Sequence, residues 1–377
     1  MIGVKVDLGS RSYEVRVVSG AGSGAFGGFV REVLGSRWAG RNCRSALVVT
    51  DENLVGAAGG FVSELTEIGI GASLETVPAG ERSKSLEASL RLYDRLVAIR
   101  ADRQTCVVAV GGGVIGDLAG FVAATYARGP PLLMVPTSLL AMVDSSVGGK
   151  VGVNHPGAKN VIGAFHQPAG VWIDTDVLTT LPTRELRCGL AEVVKYGVIL
   201  DARFFEELEA NVELIESRDP VMIRRIIARS CELKAEVVSA DEREETGLRA
   251  VLNFGHTVGH AIEAVAGYGG KFEHGEAVAV GMVAESRLAE SLGWIDPGIT
   301  ERIIALLRRF QLPVEAHGLD LAALFNAMGR DKKNERGSIR FVLPRAIGRV
   351  ELTGAPEAAI HAVLAGMVAP SPAREAL

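Results

Sequence analysis

Five side chains able to do chemistry recur at helical spacing between Gly247 and Glu263. At about 100° per residue, Arg249, Asn253, His256, His260 and Glu263 fall within about 40° either side of one line. Val251, Val258, Ile262 and Val265 take the opposite face. A guanidinium, an amide, two imidazoles and a carboxylate are groups that hold anions and metal ions. The line lacks the Lys/Glu mixture of a solvated helix face, and Gly255 and Gly259 let other groups approach the backbone. An isolated His-x-x-x-His is ordinarily part of an amphipathic surface helix. Five such groups on one stripe, followed by His274-Gly-Glu276, point instead to one wall of an active site.

Glu192 and Lys195 share a helix face at i,i+3. As a surface ion pair they would contribute little. Their neighbours are apolar or small, so this face meets something polar inside. Glu192, His256 and His274 would supply the carboxylate and two imidazoles of an open catalytic zinc site. His260, one turn beyond His256, competes for the second position, and spacing alone leaves that choice open.

The first half carries a different chemistry. Gly111, Gly113 and Gly116 form Gly-x-Gly-x-x-Gly between a strand and a helix, where bare backbone and a helix N-terminus favour a pyrophosphate. A plain tight turn would use the same glycines. Thr50-Asp51-Glu-Asn53 closes an earlier strand with groups suited to a ribose or adenine. Glu81 and Lys84 sit at another strand-to-helix corner, and Thr137-Ser138 offers two hydroxyls at a helix start. Together these predict a nicotinamide dinucleotide. Asp144, Lys150, Lys159 and Asn160, framed by Gly148-Gly149 and Gly157, read as a substrate-facing loop whose lysines serve phosphate or hydroxyls. Lys234, Asp241-Glu-Arg-Glu244 and Arg249 add charge ahead of the stripe. Asp331-Lys-Lys333, a loop pair, reads as solvated.

Elements must position these groups. Strands are expected at 4–8, 13–18, 46–50, 73–77, 106–110, 132–136 and 171–173, with helices near 57–69, 83–100, 116–127 and 138–146. Alternation at this spacing argues for an α/β domain with a mostly parallel sheet covered on both faces. From about Thr183 the pattern becomes helix after helix, near 183–199, 201–216, 219–240, 247–266, 275–292, 297–310 and 320–329. A hairpin at 339–343 and 349–352 and a helix near 356–366 follow. The expected domains are 1–181 and an all-α 182–368, with a disordered tail over 369–377. The boundary is a change of period with no linker, so a ligand cleft between the halves is expected.

The 377 residues suffice for two cores. Hydrophobic content of 48% and charged content of 23% are those of a soluble protein. No apolar run is long enough to span a bilayer, and the N-terminus lacks the regions of a signal peptide. A net charge of −5 without a basic block argues against nucleic acid and leaves phosphorylated small molecules open. Cys43, Cys106, Cys188 and Cys231 are scattered, as expected for reduced thiols in the cytoplasm.

Five blocks then carry a resemblance: Gly111-Gly-Gly-Val-Ile-Gly-Asp-Leu-Ala-Gly-Phe121, Asp144-Ser-Ser-Val-Gly-Gly-Lys150, Leu190-Ala-Glu-Val-Val-Lys195, Leu252-Asn-Phe-Gly-His-Thr257 and His274-Gly-Glu276. In this order they resemble the 3-dehydroquinate synthase family of the sugar phosphate cyclases, over about 50–348. The resemblance implies a Rossmann-like NAD-binding domain before a helical domain, in a homodimer. It implies Zn2+ (or Co2+) held by Glu192, His256 and His274, which leaves His260 for the substrate phosphate. NAD would meet Asp51, Asn53, Glu81, Lys84, Gly112, Gly113, Asp117, Thr137, Ser138, Asp144, Lys159, Thr180 and Leu181. Substrate hydroxyls would meet Asp144, Lys150, Asn160, Lys195 and Glu244, and its carboxylate Lys234 and Arg249. The phosphate would meet Lys150, Asn253, His260, Lys332 and Arg128 of a neighbouring subunit. Asp144, Lys150, Lys195, Asn253 and His260 are the implied catalytic groups. Glu263 is left as a supporting or packing partner. Ser138 stands where a second Thr is usual, and Met142 and Val151 replace Gln and Thr. Gly157-Ala158 replaces Leu-Gly, and Glu245-Thr246 makes the segment one residue longer; no group that the chemistry needs is lost.

The implied reaction converts 3-deoxy-D-arabino-heptulosonate 7-phosphate to 3-dehydroquinate and phosphate, with NAD regenerated. A cyclase for a carboxylate-free substrate would leave Lys234 and Arg249 without a partner; one for an amino analogue would keep both. A metal-dependent polyol dehydrogenase would release NADH and would not need Lys150, Asn253 and His260.

Overall fold

The computed structural model describes residues 1–37, 43–267, 271–331 and 339–368. In chain order it forms β1 (Ile2–Val6), β2 (Tyr13–Val18), α1 (Ala25–Arg37), β3 (Ser45–Asp51), α2 (Val55–Glu67), β4 (Gly71–Val77), α3 (Leu86–Ala98), β5 (Cys106–Gly111), α4 (Gly113–Thr125) and β6 (Leu132–Pro136). A single π-helical turn (Ala141–Ser145), β7 (Lys150–His155), β8 (Ala158–Phe165) and β9 (Gly170–Asp174) follow. Next come α5 (Thr183–Leu200), α6 (Ala202–Ala210), α7 (Val212–Glu216) and α8 (Pro220–Ala240). A 3-10 helix (Leu248–Asn253) leads into α9 (His256–Ala266), α10 (His274–Ser291), α11 (Pro297–Arg309) and α12 (Leu321–Asp331). The described chain closes with β10 (Arg340–Ala346), β11 (Arg349–Gly354) and α13 (Glu357–Val368).

The chain divides into two compact units, 1–182 with 220–245, and 183–219 with 246–377. The first is built on a seven-stranded sheet of order β1-β2-β9-β6-β5-β3-β4, parallel except for the β1–β2 pair. Every residue of β5 and β6 is buried, as strands covered on both faces require. On one face Phe26, Phe29, Val30 and Val33 of α1 join Val48, Val108, Leu133 and Trp172 in one core. α1 has no counterpart among the helices expected from the sequence, because the glycines between 20 and 28 mask the i, i+3, i+4, i+7 pattern of those four residues.

Although its sequence period groups α8 with the helices around it, the helix packs against β1, β2 and the π turn of the first unit. Val4, Val6, Tyr13, Val15 and Val17, aligned by the β1–β2 register, are buried on those strands, while Val18 of β2 is buried in the core with α1. Ile223, Ile226, Ile227 and Val238 are buried on α8. The expected loop after Gly149 is instead the antiparallel β7–β8 hairpin. Gly152 lies opposite Gly163, where an added Cβ would stand 2.8 Å from the Ile162 carbonyl, so glycines that read as loop serve close strand pairing.

In the second unit α10 packs against α5, α9, α11, α13 and β10, and Ala277–Ala284 of α10 are all buried. The β10–β11 hairpin lies within this otherwise helical unit, and Gly348 at its turn donates its amide to the Val198 carbonyl of α5 at 2.8 Å. The single helix expected over 247–266 is broken. Gly247 and Gly255 adopt φ of +80°, and Phe254 leaves helical geometry between the 3-10 segment and α9. Arg249 and Asn253 therefore lie on a helix of three residues per turn, while His256, His260 and Glu263 keep the i, i+4, i+7 line of α9.

Candidate active site

Three elements of the second unit bring Glu192, His256 and His274 together. Glu192 lies mid-way along α5 with no exposed surface, and Lys195, one turn on, sets its ammonium against Glu192 Oε2. His256 is the first residue of α9 and His274 the first of α10. Their Nε2 atoms stand 3.5 and 3.7 Å from the same oxygen, Glu192 Oε1. Each Nδ1 is engaged elsewhere: that of His256 with the Phe254 carbonyl at 3.1 Å, and that of His274 with Glu263 Oε2 at 3.1 Å. Those acceptors keep a proton on Nδ1 in both imidazoles and turn both Nε2 atoms toward Glu192. The nearest donor atoms of the three residues lie within 4.8 Å of one another. The Nε2 atoms of two imidazoles and a carboxylate converge on one point, a set that fits a divalent ion with an open coordination position once the ion displaces the proton that the carboxylates favour on His274.

Burial and the Lys195 charge hold the His256 imidazole neutral, its pKa down to about 3. Burial acts the same way on His274, but the carboxylates of Glu192 and Glu263 outweigh it and raise its pKa to about 10. The His260 ring centroid is 5.3 Å from that of His256 and 6.2 Å from that of His274. His260, Glu263 and His274 also satisfy the distance test for a metal group, but there the Glu263 oxygen is already occupied by His274 Nδ1.

Glycines explain how three helices come this close. An added Cβ at Gly275 would stand 2.2 Å from the Cys188 carbonyl, so the residue after His274 lies directly on α5 one turn before Glu192. A Cβ at Gly281 would stand 1.9 Å from the Gly255 carbonyl, and one at Gly255 would stand 2.7 Å from the Val278 carbonyl. The Gly255 amide donates to Glu285 Oε2 at 2.8 Å, and that carboxylate is fully buried on α10. A capping box between Glu273 and Glu276 starts α10 at His274, and Arg184 of α5 clamps Glu276 with bonds of 2.8 and 2.6 Å. Nothing in the sequence marked Glu285 or Arg184, since their partners are remote along the chain.

The first unit gathers another set. Lys84 Nζ donates to Asp117 Oδ2 and Asn160 Oδ1, each at 2.5 Å. Asn154 Nδ2 donates to Glu81 Oε1 at 2.7 Å while its Oδ1 accepts the Asn160 amide at 2.9 Å, a bridging role the sequence did not reveal. Burial raises the Asp117 pKa, opposed by the Lys84 charge. Gly112 precedes the first turn of α4, Thr137 donates its amide to Gly111, and Ser138 Oγ accepts the Ala141 amide. Asp51 accepts the Asn53 amide at the end of β3.

Lys234 of α8 donates to both the carbonyl and Oδ1 of Asp144 at 2.6 Å, and Cys231 Sγ meets the Met142 carbonyl at 3.3 Å. Side chains one turn apart on α8 thus hold the π turn that presents Asp144. Lys150 pairs with Glu244. Tyr13 and Gln167 fix Gly148, just ahead of Lys150, through its amide and carbonyl. Lys159 lies on β8, and Thr180 and Leu181 close the turn after β9 with bonds to Val177 and Leu178. Arg128 is exposed at a φ of +66° after α4. Arg249 is buried and Asn253 half-buried. Lys332 and the tail from Ala369 lie outside the described residues.

Family models described as 3-dehydroquinate synthase N-terminal and C-terminal match residues 74–188 and 189–334. A 3-dehydroquinate synthase of Desulforamulus reducens is 47% identical over 96% of this chain and 99% of its own. Among solved structures, a 2-deoxy-scyllo-inosose synthase complexed with carbaglucose-6-phosphate, NAD+ and Co2+ is 25% identical. Its TM-score is 0.83, with 97% of this chain and 100% of that one covered. A 2-epi-5-epi-valiolone synthase from Streptomyces hygroscopicus subsp. jinggangensis 5008, with NAD+ and Zn2+ bound, is 28% identical. Its TM-score is 0.82, with 94% and 96% covered.

Proposed function

The chain belongs to the 3-dehydroquinate synthase family, and from that membership we propose that it converts 3-deoxy-D-arabino-heptulosonate 7-phosphate to 3-dehydroquinate and phosphate. The observation that carries this reading is the convergence of both imidazole Nε2 atoms on Glu192 Oε1. When bound, a divalent metal such as Zn2+ or Co2+ would lower the pKa of a substrate hydroxyl, and NAD would supply a hydride acceptor for the carbon that bears it.

Glu192, His256 and His274 hold the metal in this reading. Gly112 and Gly113 bring bare backbone and the N-terminus of α4 to the pyrophosphate. Asp51 and Asn53 serve the ribose and adenine. Glu81, Lys84, Asp117, Thr137, Ser138, Asp144, Lys159, Thr180 and Leu181 complete the NAD contacts. Lys234 and Arg249 take the substrate carboxylate, and Asp144, Lys150, Asn160, Lys195 and Glu244 its hydroxyls. Lys150, Asn253, His260 and Lys332 hold the phosphate, whose own oxygens take the proton as it leaves. Holding one substrate through elimination, ring opening and aldol closure is the chain's main task.

A homodimer in which Arg128 reaches the neighbouring subunit's phosphate, and a cytoplasmic location, belong to the same proposal. Free cysteines throughout the described residues support the location, and no helix among those residues is long and apolar enough to cross a membrane. With NAD and Zn2+ present, the purified protein is expected to release phosphate from the heptulosonate phosphate without accumulating NADH. Stoichiometric NADH, or no phosphate, overturns the assignment. Preference for a carboxylate-free sugar phosphate would transfer it to a sister cyclase.

A further inference from the structure

We propose that Glu263 is a positioning residue for the metal ligand His274, which it orients through Nδ1. The inference rests on the reading of Glu192, His256 and His274 as metal ligands and adds a residue which that reading leaves without a task. The two imidazoles are held differently. His256 gives its Nδ1 proton to a neutral backbone carbonyl two residues before it. His274 gives its own to a carboxylate on another helix, at 3.1 Å. Glu263 stands seven residues after His256, on the same face of α9. That helix therefore supplies one ligand and the support of a second, which α10 carries. The Glu263 side chain is only 11% exposed, so its end of the contact is largely withdrawn from water, while that of His274 is 34% exposed.

A carboxylate in this position does two things. It fixes the tautomer and ring plane that aim Nε2 at the metal, and its charge makes the imidazole a stronger donor. A backbone carbonyl does only the first. Removing the Glu263 charge should therefore weaken metal binding about 10–100-fold, the cost typical of losing such a partner, without removing a ligand.

The test uses the full metal-free chain titrated with Co2+ alone, followed by its visible absorption. Wild type is expected to take up one Co2+ and Glu192→Gln to lose that binding. Glu263→Gln is expected to bind about 10–100-fold more weakly, with a shifted absorption band and the metal-free fold retained. Glu263→Asp, which keeps the charge, should bind more tightly than Glu263→Gln. If Glu192→Gln loses Co2+ while Glu263→Gln binds within twofold of wild type, the role of Glu263 is overturned and the metal site stands. If Glu192→Gln binds like wild type, the metal reading itself fails. A second Co2+ in wild type that Glu263→Gln does not take up would make Glu263 a ligand with His260, overturning the positioning role. Loss of the metal-free fold in both Glu263 variants would assign the residue to the core and overturn it too.

Discussion

At the scale of single residues, the groups that bear chemistry were legible because residue type limits what they do. Glu192, His256 and His274 stood out as a possible ligand set by type and context. Their supports did not, since Glu263, Glu285 and Arg184 act on partners on other helices. Glu263 was visible as a fifth member of a polar stripe, yet only its 3.1 Å contact with His274 identifies its partner. The cysteines make a residue-scale prediction. Burial pushes the Cys188 and Cys231 thiols up to about 12 and Cys106 well above its ordinary range. A thiol whose pKa is raised is protonated until pH climbs to the shifted value, so at pH 8 these three hold almost no reactive thiolate. Titration of the native protein with an aromatic disulfide reagent at pH 8 should modify at most Cys43, and all four thiols in denaturant. Rapid modification of two or more in the native protein would contradict this burial.

At the scale of elements, most strands and helices followed from period and length. The errors have definite causes. Glycine-rich stretches hid α1 and the β7–β8 hairpin, because glycine removes the apolar signal even where its missing side chain is the reason for the packing. The stripe from Arg249 to Glu263 divides at Gly255, which no count of spacing could show; only the crowding of α10 requires that turn. The same crowding makes Gly281→Ala a severe change. Its methyl carbon would sit 1.9 Å from the Gly255 carbonyl, with backbone on both sides and no flexible side chain to move. We expect a loss of about 3 kcal/mol or more in unfolding free energy, together with reduced metal content, because α9 must shift with His256. Denaturant unfolding and metal analysis of the purified variant check both, and an unchanged midpoint would refute the account.

At the scale of the whole molecule, the sequence pattern located the change from alternating to helical structure near residue 182 but could not reveal that the first unit takes back residues 220–245. Periodicity identifies a helix without showing which sheet it covers. A fragment of residues 1–182 is therefore expected to aggregate, since Val4, Val6, Tyr13, Val15 and Val17 lose the cover of α8. Each such side chain contributes about 1.5–3 kcal/mol when buried, so their exposure costs as much as the stability of a small domain. A fragment of residues 1–245 should remain more soluble; equal solubility of the two by size-exclusion chromatography would contradict this. The returning helix also bears on how the protein is made. β1 and β2 are synthesised more than two hundred residues ahead of α8. At bacterial to eukaryotic elongation speeds that gap lasts roughly ten to forty seconds. The nascent chain therefore carries an uncovered apolar ribbon for that time, open to aggregation until α8 emerges.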